Sequence, residues 1–592
     1  MLQGGKIVVF SSEEYDLVET ILLNGNHFNS QQREFIELFE SKTIIAGPGA
    51  GKTTSLAAKI ILLLRYLNYS GSREGVCIIT HTNVAVNEIN TALQKAGIKS
   101  ISHPHFIGTI HEFFNRFCVI PYFKKEYGNN TLVFDSLKSN DLDYYKRYME
   151  IKLPWIKKPQ FERFRESIPR KIYSNPIFFN EESKEIDMYN NGEWDKFEKY
   201  KRYMIGAKIS RKQQGFLRFE DTFLFSQIFL QDTNYQNILR KRFKYVFIDE
   251  FQDTTLDGLN LLNKIFNKPE NIIQMLGDPY QTIMYGQPMP KLRENQLFRM
   301  NLSNRFGEEV SSPLNRVIPE ANIQVQEERE SFKPIILIYQ DEQSIYSTYK
   351  NILDEYEMEN SSFKECYKAD KVLIRNRNWA SRVKEGAIYS KKKNNKQFSK
   401  NIQLKNLIID FICGKITDEQ MQPPDLRKWV TNHPKIYEMN NILLNILKFN
   451  LNDDRKKQIR DIINYLLTEK NQVTINVNNS LFQECEDILC QNADIEQHNS
   501  NDINDIFTIH SVKGETLRSA LIVNFDDGPF VNILLHQYGI LDEANYTYTD
   551  KNLLYVALSR VAYLFIFAVH EDELTEEGKS ILESHWDIRK IN

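Results

Sequence analysis

The stretch from 43 to 54, TIIAGPGAGKTT, constrains this chain more than any other. Thr43, Ile44 and Ile45 read as a strand, Ala46-Gly47-Pro48-Gly49-Ala50-Gly51 as a tight turn, and SLAAKIILLL, after Lys52-Thr53-Thr54, as a helix. The glycines admit backbone conformations closed to other residues, so successive N–H groups can turn inward around an anion. The following helix adds free N–H groups and the positive end of its dipole at the same point. Lys52 is then expected to reach the β- and γ-phosphates of a nucleotide, and Thr53 to ligate Mg²⁺. Ala46 stands where the usual pattern opens with glycine.

A phosphate loop needs acids and charge sensors, and the chain supplies them at strand ends. In KYVFIDEFQDTT, Tyr245 to Ile248 reads as a strand with Asp249 and Glu250 at its carboxyl end. The first carboxylate suits Mg²⁺, directly or through water; the second suits orienting or deprotonating the attacking water. In NIIQMLGDPYQTIM, a strand from Ile272 to Leu276 leads to Gln281, a candidate sensor of the γ-phosphate. Val76 to Thr80 reads as a buried parallel strand, after which Thr82 and Asn83 open a helix. HFIGTIHEFFNRF repeats that arrangement with Gly108, Thr109 and His111. Ligands of parallel sheets gather at such strand ends. From residue 296 the pattern restarts: LSNRFG, PIILIY, KVLIRNR, then DIFTIHSVKGETLRSALIVNF and NLLYVALSRVAYLFIFAV. Arg305 and Arg560 lie in this second series, and each fits a finger that stabilises charge on a transferring phosphoryl group.

At 592 residues the chain is too long for one core. Its net charge of −3 gives no global attraction to nucleic acid, so any basic footprint must be local. Six scattered cysteines without a CxxC pair argue against zinc or an iron–sulfur cluster and fit a reducing cytoplasm. The start lacks a basic segment followed by a long apolar run, and Arg65 breaks the apolar run at Ile61 to Leu67, so no membrane span is expected. Residues 121–215 interrupt the alternation with a largely helical, aromatic stretch in which Lys and Arg outnumber Asp and Glu. Most of its aromatics, Trp155 and Trp194 among them, are expected to form its own core. Residues 401–499 are again helical and poor in glycine, and the basic run at 391–400 reads as a solvated loop.

The order of FNSQQ, AGPGAGKTT, THTNVAVNEI, GTIHEFF, FIDEFQDT, GDPYQTI, NRFG, TIHSVKGE and LLYVALSR resembles the superfamily-one DNA helicases of the UvrD/Rep/PcrA kind. The resemblance implies an α/β fold of two RecA-like parallel-sheet P-loop domains, each with a mainly helical insertion. The corresponding ranges are 1–120 and 216–295 around an insertion at 121–215, then 296–395 and 500–592 around one at 396–499. It implies ATP and Mg²⁺ as cofactors, single-stranded DNA as partner and 3′-to-5′ movement driven by hydrolysis. Gln32 then contacts adenine and Glu515 the ribose. Ala46 to Thr54 cradle the phosphates, Thr53 and Asp249 hold the metal, and Lys52, Glu250, Gln281, Arg305 and Arg560 serve catalysis. Thr82, Asn83, Gly108, Thr109, His111, Thr508 and His510 meet DNA.

Three departures stand out. Met284-Tyr285-Gly286-Gln287 replaces the family's aromatic–Arg–Gly run, leaving Tyr285 to stack on a base; Asn304 replaces the aromatic that packs on adenine; Glu515 sits one position early. The compact length is similar to the helicase subunit of Gabija-type anti-phage systems (GajB-like), which implies a partner nuclease, since the chain's ends hold no constellation of acids and lysine for cleavage. The altered positions raise a rival, a nucleotide- and DNA-sensing regulatory subunit that controls such a nuclease.

Overall fold

The computed structural model describes residues 10–591 apart from 99–100, 129–131, 135–137, 284–293, 386–399, 417–425, 427–428, 432, 450, 471, 473, 475–478, 491–504 and 526–527. Twelve strands form two six-stranded sheets with parallel pairing throughout. The first holds β1 (Lys42–Ala46), β2 (Gly75–Thr80), β3 (Phe106–Thr109), β4 (Phe243–Asp249), β5 (Ile272–Gly277) and β6 (Leu297–Met300), in the order β6-β1-β5-β4-β2-β3. The second holds β7 (Ile335–Tyr339), β8 (Asp370–Ile374), β9 (Ile506–Thr508), β10 (Leu517–Val523), β11 (Val561–His570) and β12 (Asp587–Lys590), in the order β12-β7-β11-β10-β8-β9. Position for position, the second order repeats the first.

These strands read as unbroken apolar runs because both faces of each sheet are covered. Alternate residues divide between two cores: Ile44, Ile78 and Phe247 enter one, while Ile45, Cys77, Ile79 and Ile248 enter the other. Helix α2 (Lys52–Tyr69) covers the first face with Leu56, Ile60 and Leu63. The second sheet packs Ile336, Ile338, Ile522 and Phe567 against helix α5 (Glu308–Val317) and helix α6 (Tyr548–Leu558).

The expected boundary at 296 needs correction. Leu297–Met300 pairs with β1 and closes the first sheet, because the run LFRM supplies the neighbour that β1 needs on its open side. The chain crosses between the sheets later, from Met300 to Ile335. On the way, Leu302 and Ser303 pair with Gln324 and Val325.

Between β3 and β4 stand helices Lys138–Lys152, Glu162–Ser174 and Phe197–Gln213 with the hairpin Ile177–Asn180/Glu185–Met188. Trp194 stacks on Tyr200 and Trp155 on Phe164, both at 5.7 Å between ring centres, so these aromatics face one another within the insertion. Gly386–Asp505 forms a compact unit of its own, wider than the sequence boundaries. Its helices, Lys400–Lys415, Pro434–Phe449, Asp453–Glu469 and Asn479–Cys490, enclose Ile408, Ile412, Leu443, Ile463 and Leu466. Residues 391–399 of the basic run lie outside the described residues. No helix among the described residues is long and apolar enough to cross a membrane.

Candidate nucleotide and nucleic-acid site

The loop after β1 turns through two left-handed residues, Gly49 (φ +78°) and Gly51 (φ +76°), the region that glycine enters without penalty. Gly51 then caps α2 and has no side chain to bond the free N–H groups of that helix end. Such a helix start suits an anion. Lys52, in the first turn, lies 2.8 Å from Asp249 Oδ1 and 2.5 Å from Glu250 Oε1 at the end of β4. Burial opposes the lysine's charge, yet the two acids raise its pKa above the usual value. Burial raises Asp249, whereas Lys52 outweighs burial at Glu250 and brings it down to about 2. A buried lysine and two carboxylates thus meet at the end of the loop. A cation for phosphate oxygens beside hard oxygen ligands for a divalent metal is the donor set that Mg-ATP needs, so the residues present fit it.

Glu250 holds a left-handed backbone (φ +51°, ψ +45°), which a non-glycine residue keeps only where its surroundings impose it. Gln252 Nε2 donates to its Oε2 and fixes the carboxylate. At the end of β5, buried Asp278 accepts from Gln281 Nε2 at 2.9 Å and from the Tyr280 N–H at 3.0 Å. Burial pushes its pKa up to about 6. Gln281 Oε1 in turn accepts from Arg560 Nη2 at 3.3 Å. Arg560, 2% exposed, sits between α6 and β11 and also donates to Val556 O. Arg305 lies close to Arg560 but is carried by a different segment. It lies on the crossing segment against the loop: Asn304 N–H donates to Gly49 O at 2.9 Å, and a Cβ on Gly49 would come within 2.6 Å of Arg305 Cβ. Its Nη1 donates to Ser559 O at 2.6 Å, and burial beside Arg560 lowers its pKa to about 9.

Gln32, on helix α1 (Ser30–Glu37), is 4% exposed, with its amide already engaged. Its Oε1 accepts from the Asn29 N–H at 2.9 Å, and its Nε2 donates to Ala50 O at 3.0 Å. Glu515 pairs with Lys371 of the second sheet. Tyr285, with Met284, Gly286 and Gln287, lies outside the described residues.

The proposed DNA positions occupy corresponding places in the two sheets. Thr82 caps helix α3 (Asn83–Lys95) after β2, accepting from the Ala85 N–H at 3.2 Å. Thr109 caps helix α4 (Ile110–Phe114) after β3, in a reciprocal box with Glu112. Gly108 is small for a local reason: a Cβ there would lie 2.7 Å from Glu112 Oε2 and 2.8 Å from the Phe106 ring. The His111 ring lies 4.9 Å from Phe223 and 5.5 Å from Phe219, and burial with His81 nearby lowers its pKa. In the second sheet, the ends of β8 and β9 bring Arg375, Arg377, Thr508 and His510 into one region. Partial burial, then Lys513, Arg375 and Arg377, push the His510 pKa down.

Several contacts carry no sequence signature. Lys513 donates to Asp253 (2.7 and 2.8 Å) and to Gln281 O, Asn552 of α6 to Thr282 O, and Tyr555 to Asp278. They fasten the second sheet's elements to the strand ends of the first. Lys59 of α2, fully buried, donates to Phe35 O at 2.7 Å and to Leu38 O, over the rings of Phe35 and Phe39. It anchors α1 beside α2.

Over residues 28–286 the chain matches the UvrD/REP helicase N-terminal domain family. A "Probable DNA helicase II homolog" of Mycoplasma genitalium is 21% identical to it, across 91% of this chain and 84% of that protein. The "ATP-dependent DNA helicase srs2" of Schizosaccharomyces pombe is 27% identical across 45% of this chain and 31% of its own length. An "ATP-dependent DNA helicase Rep" of Buchnera aphidicola is 26% identical across 43% and 37%. This chain thus spans most of the first relative but only about a third of the other two.

Proposed function

From the premise that this chain is a UvrD/Rep-like helicase, an ATP-dependent DNA enzyme, we propose that it hydrolyses Mg-ATP to move 3′ to 5′ along single-stranded DNA. The observation that carries this reading is the bond from Arg560, at the end of α6, to Gln281, at the end of β5. It joins a cation of one sheet to the γ-phosphate sensor of the other, so phosphoryl chemistry and the relation between the sheets share a contact. In this reading the Gly47–Thr54 cradle binds the phosphates and Lys52 turns from its two acids to the β/γ oxygens. Thr53 and Asp249 would hold Mg²⁺, which would supply positive charge to neutralise the phosphates. Glu250, kept ionised and aimed by Gln252, takes the proton of the attacking water. Arg305 and Arg560 stabilise the charge that develops. DNA phosphates lie along the helix ends after β2 and β3 and the basic cluster after β8 and β9.

The test is steady-state ATP hydrolysis with and without single-stranded DNA, duplex and RNA. Hydrolysis should rise at least ten-fold with single-stranded DNA; equal rates in all conditions refute a motor. Asn304, an amide where an aromatic would hold adenine, favours a second reading: a cytoplasmic sensor that controls a separate nuclease in phage defence. Copurification with the products of neighbouring genes distinguishes it, and a chain that migrates alone counts against it.

A further inference from the structure

Gln31 makes three hydrogen bonds that the nucleotide chemistry above does not use. Its Oε1 accepts from the N–H groups of both Asn301 and Leu302 at 3.0 Å, and its Nε2 donates to Asn301 Oδ1 at 2.9 Å. One amide therefore spends its acceptor on two consecutive backbone donors and its donor on the side chain between them. The segment it grips is the start of the crossing between the sheets. That segment is fixed to the phosphate loop at both ends: Gly47 N–H donates to Met300 O at 2.8 Å, and Asn304 N–H to Gly49 O at 2.9 Å. On its other side, Asn301 Nδ2 donates to Asn322 O at 2.6 Å, and Asn301 O accepts from the Gln324 N–H at 2.9 Å. Arg305 follows directly, its N–H held by Ser303 Oγ at 3.2 Å. Gln31 and Gln32 are neighbours on α1, so the turn that holds the loop through Ala50 also holds the crossing segment.

We propose that Gln31 is a positioning residue: it sets the register of residues 301–305 on the phosphate loop and thereby aims Arg305 at the nucleotide. The inference rests on the ATPase reading above and goes beyond it, since that reading gives Gln31 no role and its side-chain bonds go to Asn301 and Leu302. An arginine that acts only on developing charge contributes to turnover more than to ground-state binding. A small misplacement of it is felt mainly in kcat.

The experiment measures DNA-stimulated hydrolysis by wild type, Gln31→Ala, Gln31→Glu, Arg305→Ala and the double variant Gln31→Ala/Arg305→Ala. Gln31→Ala should lower kcat about ten-fold with the KM for ATP within two-fold. Gln31→Glu keeps the acceptor and loses the donor, and should fall between it and wild type. The double variant should be no slower than Arg305→Ala alone, because both changes remove one interaction. Wild-type kcat in the Gln31 variants, a loss confined to KM, or losses that multiply in the double variant would overturn the proposal. If Gln31→Ala does not fold, Gln31→Glu decides by the same criteria. A wild-type protein without DNA-stimulated hydrolysis removes the ATPase reading itself, an outcome distinct from failure of the Gln31 variants alone.

Discussion

Lys52 neutralises two adjacent acids in a buried place, and Asp249 and Glu250 could not both stay ionised there alone. Lys52→Ala is therefore expected to abolish hydrolysis and also to lower stability by about 3 kcal/mol, the usual penalty for leaving a buried charge unpaired. The deficit should shrink as pH falls, because Asp249 already binds its proton more readily than a free carboxylate and gains stability by doing so. Thermal melts of both proteins between pH 5 and 8 check this; a deficit independent of pH would place its origin elsewhere. Asp278 gives a second titration. Its folded pKa of about 6 lies above the ordinary carboxylate value, so the folded state binds the extra proton between roughly pH 4 and 6. Stability from this group is full below that window and is lost as pH rises through it, by about 3 kcal/mol. Asp278→Asn should remove that slope, read as a difference from wild type in denaturant unfolding at pH 4.5 and 7.5.

At the scale of elements, the phosphate loop and the crossing segment are one packed object. Gly49 needs φ +78°, and a Cβ there would meet Ser303 Oγ at 2.4 Å. Gly49→Ala is expected to lift the segment carrying Arg305 and cut hydrolysis at least a hundred-fold, with a loss of about 1–3 kcal/mol in unfolding experiments; near-normal turnover would separate loop from segment. The core strands were legible in the sequence because each is a buried parallel strand, apolar from end to end: Val76 to Thr80, Tyr245 to Ile248 and Ile272 to Leu276 reappear lengthened by one to three residues as Gly75–Thr80, Phe243–Asp249 and Ile272–Gly277. The loop was legible because glycine and lysine spacing follows from anion geometry. The assignment of Leu297–Met300 was not, since nothing local in a four-residue strand says which neighbour it pairs with. Gln31, Lys59, Lys513 and Asn552 were equally hidden. Their partners lie 21 to 270 residues away, and the same residue types on a helix surface are ordinarily just solvated.

Across the whole molecule, two sheets of identical strand order divide the labour unequally. In the proposed mechanism the first carries phosphate chemistry after β1, β4 and β5, and the second answers with Arg560 and with the contacts of α6 and Lys513. After its second and third strands the first sheet presents the capped ends of α3 and α4, and the second presents Arg375, Arg377 and His510, so a duplicated topology would give DNA footholds on two bodies. A net charge of −3 over 592 residues leaves little long-range attraction, so affinity for single strands must come from those few groups. If Arg375 and Arg377 with one to three helix ends meet three to five phosphates, log K should fall with log salt at a slope of about −2 to −3.5, and Arg377→Ala should reduce that slope by about 0.7. Arg560→Ala should leave the slope unchanged while lowering DNA-stimulated turnover about a thousand-fold, because its guanidinium faces Gln281 and not the basic cluster. Binding titrations at several salt concentrations, run beside hydrolysis assays on both variants, separate the two roles. An Arg560→Ala protein whose salt slope fell with its turnover would mean that the contact between the sheets and the DNA track are one surface, and the division of labour between them would not hold.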